Sequence, residues 1–456
     1  MKKLLKTNKT TNSIIIAFIF AIGLYACNDD KKSESGGVYD PTKPVAITAF
    51  SPDNGRIREK IVIKGSNFGN DPSKIEVYFT DDAFDRKATV IGVSNDRIYC
   101  LAPRQNVGNN KIKVIVDDSE PAETDETFAY RAVEMVTTLC INVSNGKDEG
   151  QLSEINFDYS DGIGYVGDES VIVFDQAKKR TRLISVQENS VINIQAGFQG
   201  GKPAVTKDKT MLYAIGKKQP HTIYLYTKDS GWAPSRLSEL GVLNNDSEDF
   251  IGSLTFAEDE EWLYFCSTKG TFGRFNINTQ ELDIIKQQLD VPINYGNMKD
   301  GYWAEEKIST LVYHPFHKCF YLSITAAYSI YRVEMDGTAQ IYAGKSNISA
   351  SSDGYLDECT FCMPNSMVLD SDGNIYVTDG SRSGGHFIRK ITVNTGYVST
   401  VAGKKVNGLP AENSLVDGVI PTEAVFRRLT DICFDGEGGF YVLDGWGRRL
   451  RKYAIE

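Results

Sequence analysis

The chain of 456 residues is long enough for two or three domains, and 41% hydrophobic with 24% charged residues excludes both a disordered chain and a polytopic membrane protein. Fifty Lys and Arg against 60 Asp and Glu leave a net charge of −10, which argues against a general nucleic-acid binder, because phosphate contacts need a basic face. Four histidines (His221, His314, His317, His386) offer few ligands to a multi-histidine metal centre, whereas 40 Gly, 23 Tyr and 22 Phe point to many strands joined by tight turns.

Lys2, Lys3, Lys6 and Lys9 precede an apolar run from Ile14 to Ala26. It is shorter than the about 20 residues a spanning helix needs and fits the h-region of a signal peptide. Leu24-Tyr25-Ala26-Cys27 resembles the lipobox of bacterial lipoproteins. The resemblance implies removal of residues 1–26 and lipidation of Cys27. Four lysines and no acid leave with that segment, so a net −10 becomes −14 on the remainder. Residues 27–43 are polar and read as a flexible tether. Asn28-Asp29-Asp30 is similar to the surface-export signal of Bacteroidota lipoproteins, which implies an outer-membrane, lipid-anchored protein facing the extracellular side.

Seven further cysteines (Cys100, Cys140, Cys266, Cys319, Cys359, Cys362, Cys433) are odd in number and mostly sit in apolar runs, so buried free thiols are expected rather than a disulfide framework. Cys359-x-x-Cys362 has no second pair and no helix start beside it, against a zinc or redox site.

Residues 44–131 show seven short runs with strand character, among them Ile61-Val62-Ile63, Ile75 to Phe79, Arg97 to Cys100 and Lys111 to Val116. That density of strands and turns predicts a small β-sandwich. Ser51-Pro52, Ile63-x-Gly65-x-Asn67-Phe68-Gly69, Ala102-Pro103 and the closing Phe128-x-Tyr130 resemble the IPT/TIG immunoglobulin-like family, which implies a spacer domain.

Over residues 132–456 a tyrosine between apolar neighbours recurs at Tyr165, Tyr213, Tyr264, Tyr321, Tyr376 and Tyr441, at intervals of 48, 51, 57, 55 and 65 residues. Six units of this size, each with room for four short strands and its tyrosine in the second, predict a six-bladed β-propeller. The whole chain is therefore read as all-β, a sandwich followed by a propeller. Asp370-x-Asp372-Gly373-Asn374 lacks the glycine and closing glutamate of a calcium loop and reads as a hairpin turn. The last unit ends after three strands, and an open edge there needs a partner. Within residues 132–145, Glu134 to Val143 is the expected closing strand, beside Arg449 to Tyr453.

Met363-Pro364, Gly373-Asn374-Ile375-Tyr376-Val377-Thr378-Asp379, Val401-Ala402-Gly403 and Phe440-Tyr441-Val442-Leu443-Asp444 resemble NHL-repeat propellers, strongly from residue 340 onward. In such propellers the d-to-a and b-to-c connections share one face. Aligned Asp-Gly pairs (Asp300-Gly301, Asp353-Gly354, Asp417-Gly418) fall in d-to-a connections. Tyr302, Trp303, Tyr328, Tyr355 and Trp446, with Arg382, His386 and Arg448, are therefore expected to converge on one rim as a ligand site. Aromatic planes against sugar faces, with Arg and Asp on hydroxyls, are what carbohydrate binding needs. His221 and His386 share that face, but NHL-like lyases and lactonases also need a carboxylate partner, and no nucleophile elbow, His-Glu-x-x-His or phosphate loop is present. The expectation is a non-enzymatic surface lipoprotein without cofactor or metal. Its expected ligand is an extracellular polysaccharide or oligosaccharide handled with a SusC/SusD-type uptake system. A protein-protein or adhesion module is the alternative.

Overall fold

A computed structural model describes residues 37–81, 85–103, 105, 107–243, 249–291, 310–346, 348–381 and 385–455. The described chain is all-β, with short 3-10 turns between strands.

The first domain is a two-sheet sandwich. One sheet orders Ala46–Ser51, Lys60–Ser66, Arg97–Leu101 and Thr89–Ser94; the other orders Asn54–Gly55, Phe128–Tyr130, Gly108–Val116, Ile75–Thr80 and Asp85–Lys87, with Ala122–Glu123 beside Gly108–Val116. Among the described residues ten short strands replace the seven expected, because the extra ones are two- or three-residue pairings too brief to leave an alternating pattern. Ile61, Ile63, Val77, Phe79, Ile98, Ile112, Val114 and Phe128 fill the space between the sheets. The Ile63-to-Gly69 run is explained by its contacts. A Cβ on Gly65 would sit 2.0 Å from the Ala46 carbonyl oxygen. Asn67, at φ 65°, accepts from the Asp40 amide at 2.8 Å and donates to the Asp40 and Lys43 carbonyls, tying down the chain that enters the domain.

Six four-stranded antiparallel blades follow. Strands a to d are Ser160–Tyr165, Ser170–Asp175, Arg180–Ser185 and Ser190–Ala196 in blade 1. Blade 2 has Ala204–Val205, Met211–Ile215, Thr222–Thr227 and Pro234–Glu239. Blade 3 has Thr255–Phe256, Trp262–Cys266, Phe272–Asn276 and Leu282–Lys286. Blade 4 has Thr310–His314, Cys319–Ile324, Ser329–Val333 and Ala339–Gly344. Blade 5 has Met367–Leu369, Ile375–Ser381, Gly385–Thr392 and Tyr397–Ala402. Blade 6 has Leu429–Phe434, Gly439–Asp444 and Arg449–Ile455. Its fourth strand is Glu134–Ile141, paired antiparallel with Arg449–Ile455 from Glu134 opposite Ile455 to Ile141 opposite Arg449.

Five of the repeating tyrosines lie in strand b and are buried. Tyr165 is a correction: it ends strand a of blade 1, whose strand b is the wholly aliphatic and Phe run Val171 to Phe174. It stacks on Tyr441 of blade 6 at 5.8 Å between centroids instead. The core is distributed between neighbouring blades; Tyr264 and Phe272 of blade 3 pack on Phe320 and Leu322 of blade 4, and Cys140, Ile163 and Leu443 join blades 6 and 1. The seven described cysteines are buried free thiols, and burial pushes Cys100 and Cys140 up to about 12. At the axis, Lys202 before blade 2 reaches Asp431 of blade 6 at 2.6 Å and Ser366 before blade 5 at 3.2 Å, while Asp431 also accepts from the Ile163 amide of blade 1.

The sandwich rests against the a-to-b hairpins of blades 5 and 6, through Arg86 with Asp372 at 2.6 Å and Arg58 with Glu437 at 3.6 Å. The d-to-a and b-to-c connections lie at the opposite end of the propeller.

Glu134–Ile141 supplies all the backbone partners of the outer edge of blade 6, so a chain beginning at Gly146 should lose the cooperative melt seen by circular dichroism or aggregate on expression. An unchanged melting temperature for the shortened chain contradicts that role.

Candidate functional site

The two described Asp-Gly pairs, Asp353-Gly354 and Asp417-Gly418, are built into the blade edges, while Asp300-Gly301 lies outside the described residues. Gly354–Tyr355 adds a fifth strand outside strand d of blade 5, with Gly354 opposite Val398, and Gly418 pairs with Val136 on the outer strand of blade 6. Each aspartate then reaches inward to the arginine of strand c. Arg389 meets Asp353 at 2.9 Å and Asp379 at 3.2 Å, and Thr400 donates to Asp353. Arg451 meets Asp417 at 2.8 Å, with Thr138 donating to the same carboxylate. Burial pushes the Asp417 carboxyl up, but the Thr138 and Arg451 contacts outweigh it and hold it below its ordinary value. The two guanidiniums also lie over Phe361 and Phe426. Asp353 and Asp417 are thus clasps that hold one loop to one blade.

This geometry corrects part of the expected rim. Tyr355 lies on the outer edge of blade 5, 54% exposed and edge-on to Tyr397 at 5.4 Å, because its backbone is committed to strand pairing there. Tyr302, Trp303 and Arg382 lie outside the described residues. Tyr328 follows the single 3-10 turn Thr325–Ala327 of blade 4 at φ 57° and is half-buried. Trp446 is half-buried in the b-to-c turn of blade 6, with the Arg428 guanidinium 4.5 Å from its ring centre, so a cation occupies one aromatic face. Arg448, in the same turn, is paired with Glu412 at 3.1 Å. His386 is buried, which drives its imidazole down to about 3, with Arg428 adding to the effect; it is neutral and carries no charge to a ligand. His221 is buried as well, its ring nitrogens 3.0 Å from the Gly216 carbonyl and 3.1 Å from the Asp249 carbonyl. Of the five described residues, Tyr355 stands on the outer edge of blade 5, apart from the b-to-c turn of blade 6 that holds Trp446 and Arg448. Among the described residues no group of three His, Cys, Asp or Glu side chains is placed to hold a metal ion.

What the loop face does hold is a cavity of about 310 Å³ over blades 1 to 3. Every residue lining it comes from the start of blade 1, a b-to-c turn or a d-to-a connection. Tyr159 and Asp161 open blade 1, Gln176 is in its b-to-c turn and Gln199 follows its strand d, Lys217 and Lys218 are in the b-to-c turn of blade 2, and Phe250 and Thr268 belong to the loops of blade 3. Lys217 and Asp161 are ion-paired at the wall, each side chain 25% exposed. The Gln176 amide nitrogen donates to the Gly200 carbonyl at 2.7 Å, and that of Gln199 to the Gln176 carbonyl at 3.0 Å. Two aromatics, two fixed amides and an ion pair around one concavity suit a polar ligand with an apolar face. The sequence marks His221 in the neighbouring stretch but none of these residues, since no motif distinguishes them and the cavity exists only once three blades are side by side.

The comparisons extend this picture. Residues 44–130 match the IPT/TIG domain and residues 361–391 the NHL repeat. A Bacteroides thetaiotaomicron crystal structure of a protein of unknown function is 42% identical, with a TM-score of 0.79, covering 92% of this chain and all of that one. The chain belongs to the same family. Two other members of this fold, from B. thetaiotaomicron and Bacteroides ovatus, are each described as an auxiliary nutrient binding protein; they are 22% and 21% identical, with TM-scores of 0.55 and 0.58, over 92% of this chain and 99% and 100% of their own. At that identity the likeness is one of fold. No curated protein matches the chain.

Two measurements check the structural roles assigned above. Replacing Arg389 by Ala leaves Asp379 buried without its cation and should cost about 3 to 5 kcal/mol in urea unfolding, whereas Asp353→Ala, at an exposed carboxylate, should cost about 1 kcal/mol or less; equal losses contradict the assignment. The unfolded chain protonates His386 below pH about 6.5 and the folded chain only near pH 3. Acid therefore favours unfolding in that window, by up to about 1.4 kcal/mol per pH unit from this one group. His386→Asn should flatten the fall in urea midpoint between pH 6 and pH 4 (roughly the middle of that window), and an unchanged slope argues against a neutral buried imidazole.

Proposed function

We propose that this protein is a surface lipoprotein, anchored in the outer membrane through Cys27, that binds an extracellular carbohydrate on the loop face of its propeller as an accessory to a SusC/SusD-type uptake system. The observation that carries the reading is the cavity over blades 1 to 3, which combines Tyr159 and Phe250 with amide and charged side chains at the end of the propeller opposite the sandwich. Two supports are independent of it. The description of two same-fold Bacteroides proteins as nutrient binding agrees with a ligand-binding propeller. The residues before the sandwich carry the lipobox-like Leu24 to Cys27 and a polar tether, an arrangement that presents the loop face to the medium. Binding without turnover is the preferred reading, since the buried His221 and His386 are held by the fold and offer no acid-base pair.

One observation favours a protein partner instead. Val416, Val419 and Ile420, at the edge of blade 6, are 53%, 83% and 59% exposed, a short apolar patch away from the cavity.

Affinity electrophoresis of the chain from residue 37 onward against a glycan panel separates the two. Retardation by at least one polysaccharide is expected, and Tyr159→Ala with Phe250→Ala should abolish it. No retardation on any glycan overturns the carbohydrate reading and leaves the apolar edge as the functional surface. In cells, Cys27→Ser should move the full chain out of the membrane fraction; retention there contradicts the anchor.

A further inference from the structure

The lining of the cavity over blades 1 to 3 says more about its ligand than its size does. We propose that the ligand is an acidic saccharide, whose negative charge is a carboxylate or a sulfate ester recognised by Lys217 and Lys218. This rests on the carbohydrate reading above and narrows it.

Several hydrogen-bonding groups of the lining are already committed to the fold. The amide nitrogens of Gln176 and Gln199 both donate to backbone carbonyls, at 2.7 and 3.0 Å. The carbonyl oxygens of the two glutamines accept from hydroxyls and offer nothing to an anion, and each amide has already committed at least one of its two N–H groups. The charged donors of the lining are the two ammonium groups of Lys217 and Lys218. Lys217 is in the wall, paired with Asp161, and Lys218 beside it is exposed, with no ion-pair partner among the described residues. Lys202, at the axis, is not part of this supply, since its ammonium already meets Asp431, Ser366 and the Ile432 carbonyl.

Charge gives the second argument. The lining carries two lysines and one carboxylate, a local balance of plus one, on a chain whose net charge is −10. An acidic polymer approaching such a protein is repelled over most of the surface and attracted at the few places where lysines gather; a neutral glycan gains nothing from them. Holding an uncompensated lysine at the lip of a concavity favours an anion there. Tyr159 and Phe250 supply flat apolar faces for the carbon face of a sugar ring, and the glutamine oxygens take its hydroxyls. Hydroxyls to donate, an apolar face and a negative charge together describe a uronic acid or a sulfated sugar.

The test is calorimetry on the chain from residue 37 onward with three sets of oligosaccharides: polygalacturonate fragments, sulfated glycosaminoglycan fragments, and neutral xylan and arabinan fragments. The proposal expects one of the acidic sets to bind more tightly than the neutral set. It expects that affinity to fall with added salt, and to drop about tenfold in Lys218→Gln, the loss of one charged hydrogen bond. Which acidic set binds decides between carboxylate and sulfate. Because Lys218 is exposed, the substitution should leave the melting temperature unchanged. If neutral fragments bind as well as acidic ones and Phe250→Ala abolishes both, or if Lys218→Gln leaves acidic affinity as it was, the charge proposal fails while the carbohydrate reading stands. If no set binds, both fall.

Discussion

A ring of blades is stable only if its last edge finds a partner, and here that partner comes from the other end of the propeller sequence. Glu134–Ile141 pairs along Arg449–Ile455, so the blade that begins and ends the propeller is made of two segments more than 300 residues apart. Each unpaired backbone group along that edge would otherwise face solvent or another chain. The placement of every loop follows, because closure fixes the angle between neighbouring blades and brings the starts of blades 1, 2, 5 and 6 close enough at the axis for Lys202 to bridge to Asp431 and Ser366.

Within that ring the best-conformed blades, 5 and 6, share one device. A strand-c arginine lies over a phenylalanine and reaches two aspartates, one at the end of strand b and one in the connecting loop. The device accounts for two residues of the NHL-like stretches, Asp379 and Asp444, which end their runs as partners of the strand-c arginines. It also gives the aligned aspartates Asp353 and Asp417 a structural task, since their carboxylates face inward, to guanidinium groups.

Fold and site differed in how far they could be read from the residues. The blade count was legible because strand b needs a large, half-polar side chain between aliphatic neighbours, and tyrosine fills that place five times. Tyr165 shows the limit of such counting: an aromatic at the right interval closes strand a instead of lying in strand b. The Asn67 turn was visible as a pattern, while its reason, the hold on Asp40 and Lys43, lies in contacts made 24 and 27 residues away. The cavity was not legible at all. Gln176, Lys217 and Phe250 are ordinary loop residues whose significance depends on three blades meeting, and no spacing rule in one dimension encodes that meeting.

The docking of the sandwich decides where mechanical load travels. A pull on the chain ahead of residue 37 enters the sandwich, whose entering segment is tied down by Asn67, and leaves it through Arg86, Arg58 and the short link into Glu134–Ile141. All of these end on blades 5 and 6. Blades 1 to 3, with their cavity, make none of these contacts, so such a pull loads the clasped, arginine-rich blades first.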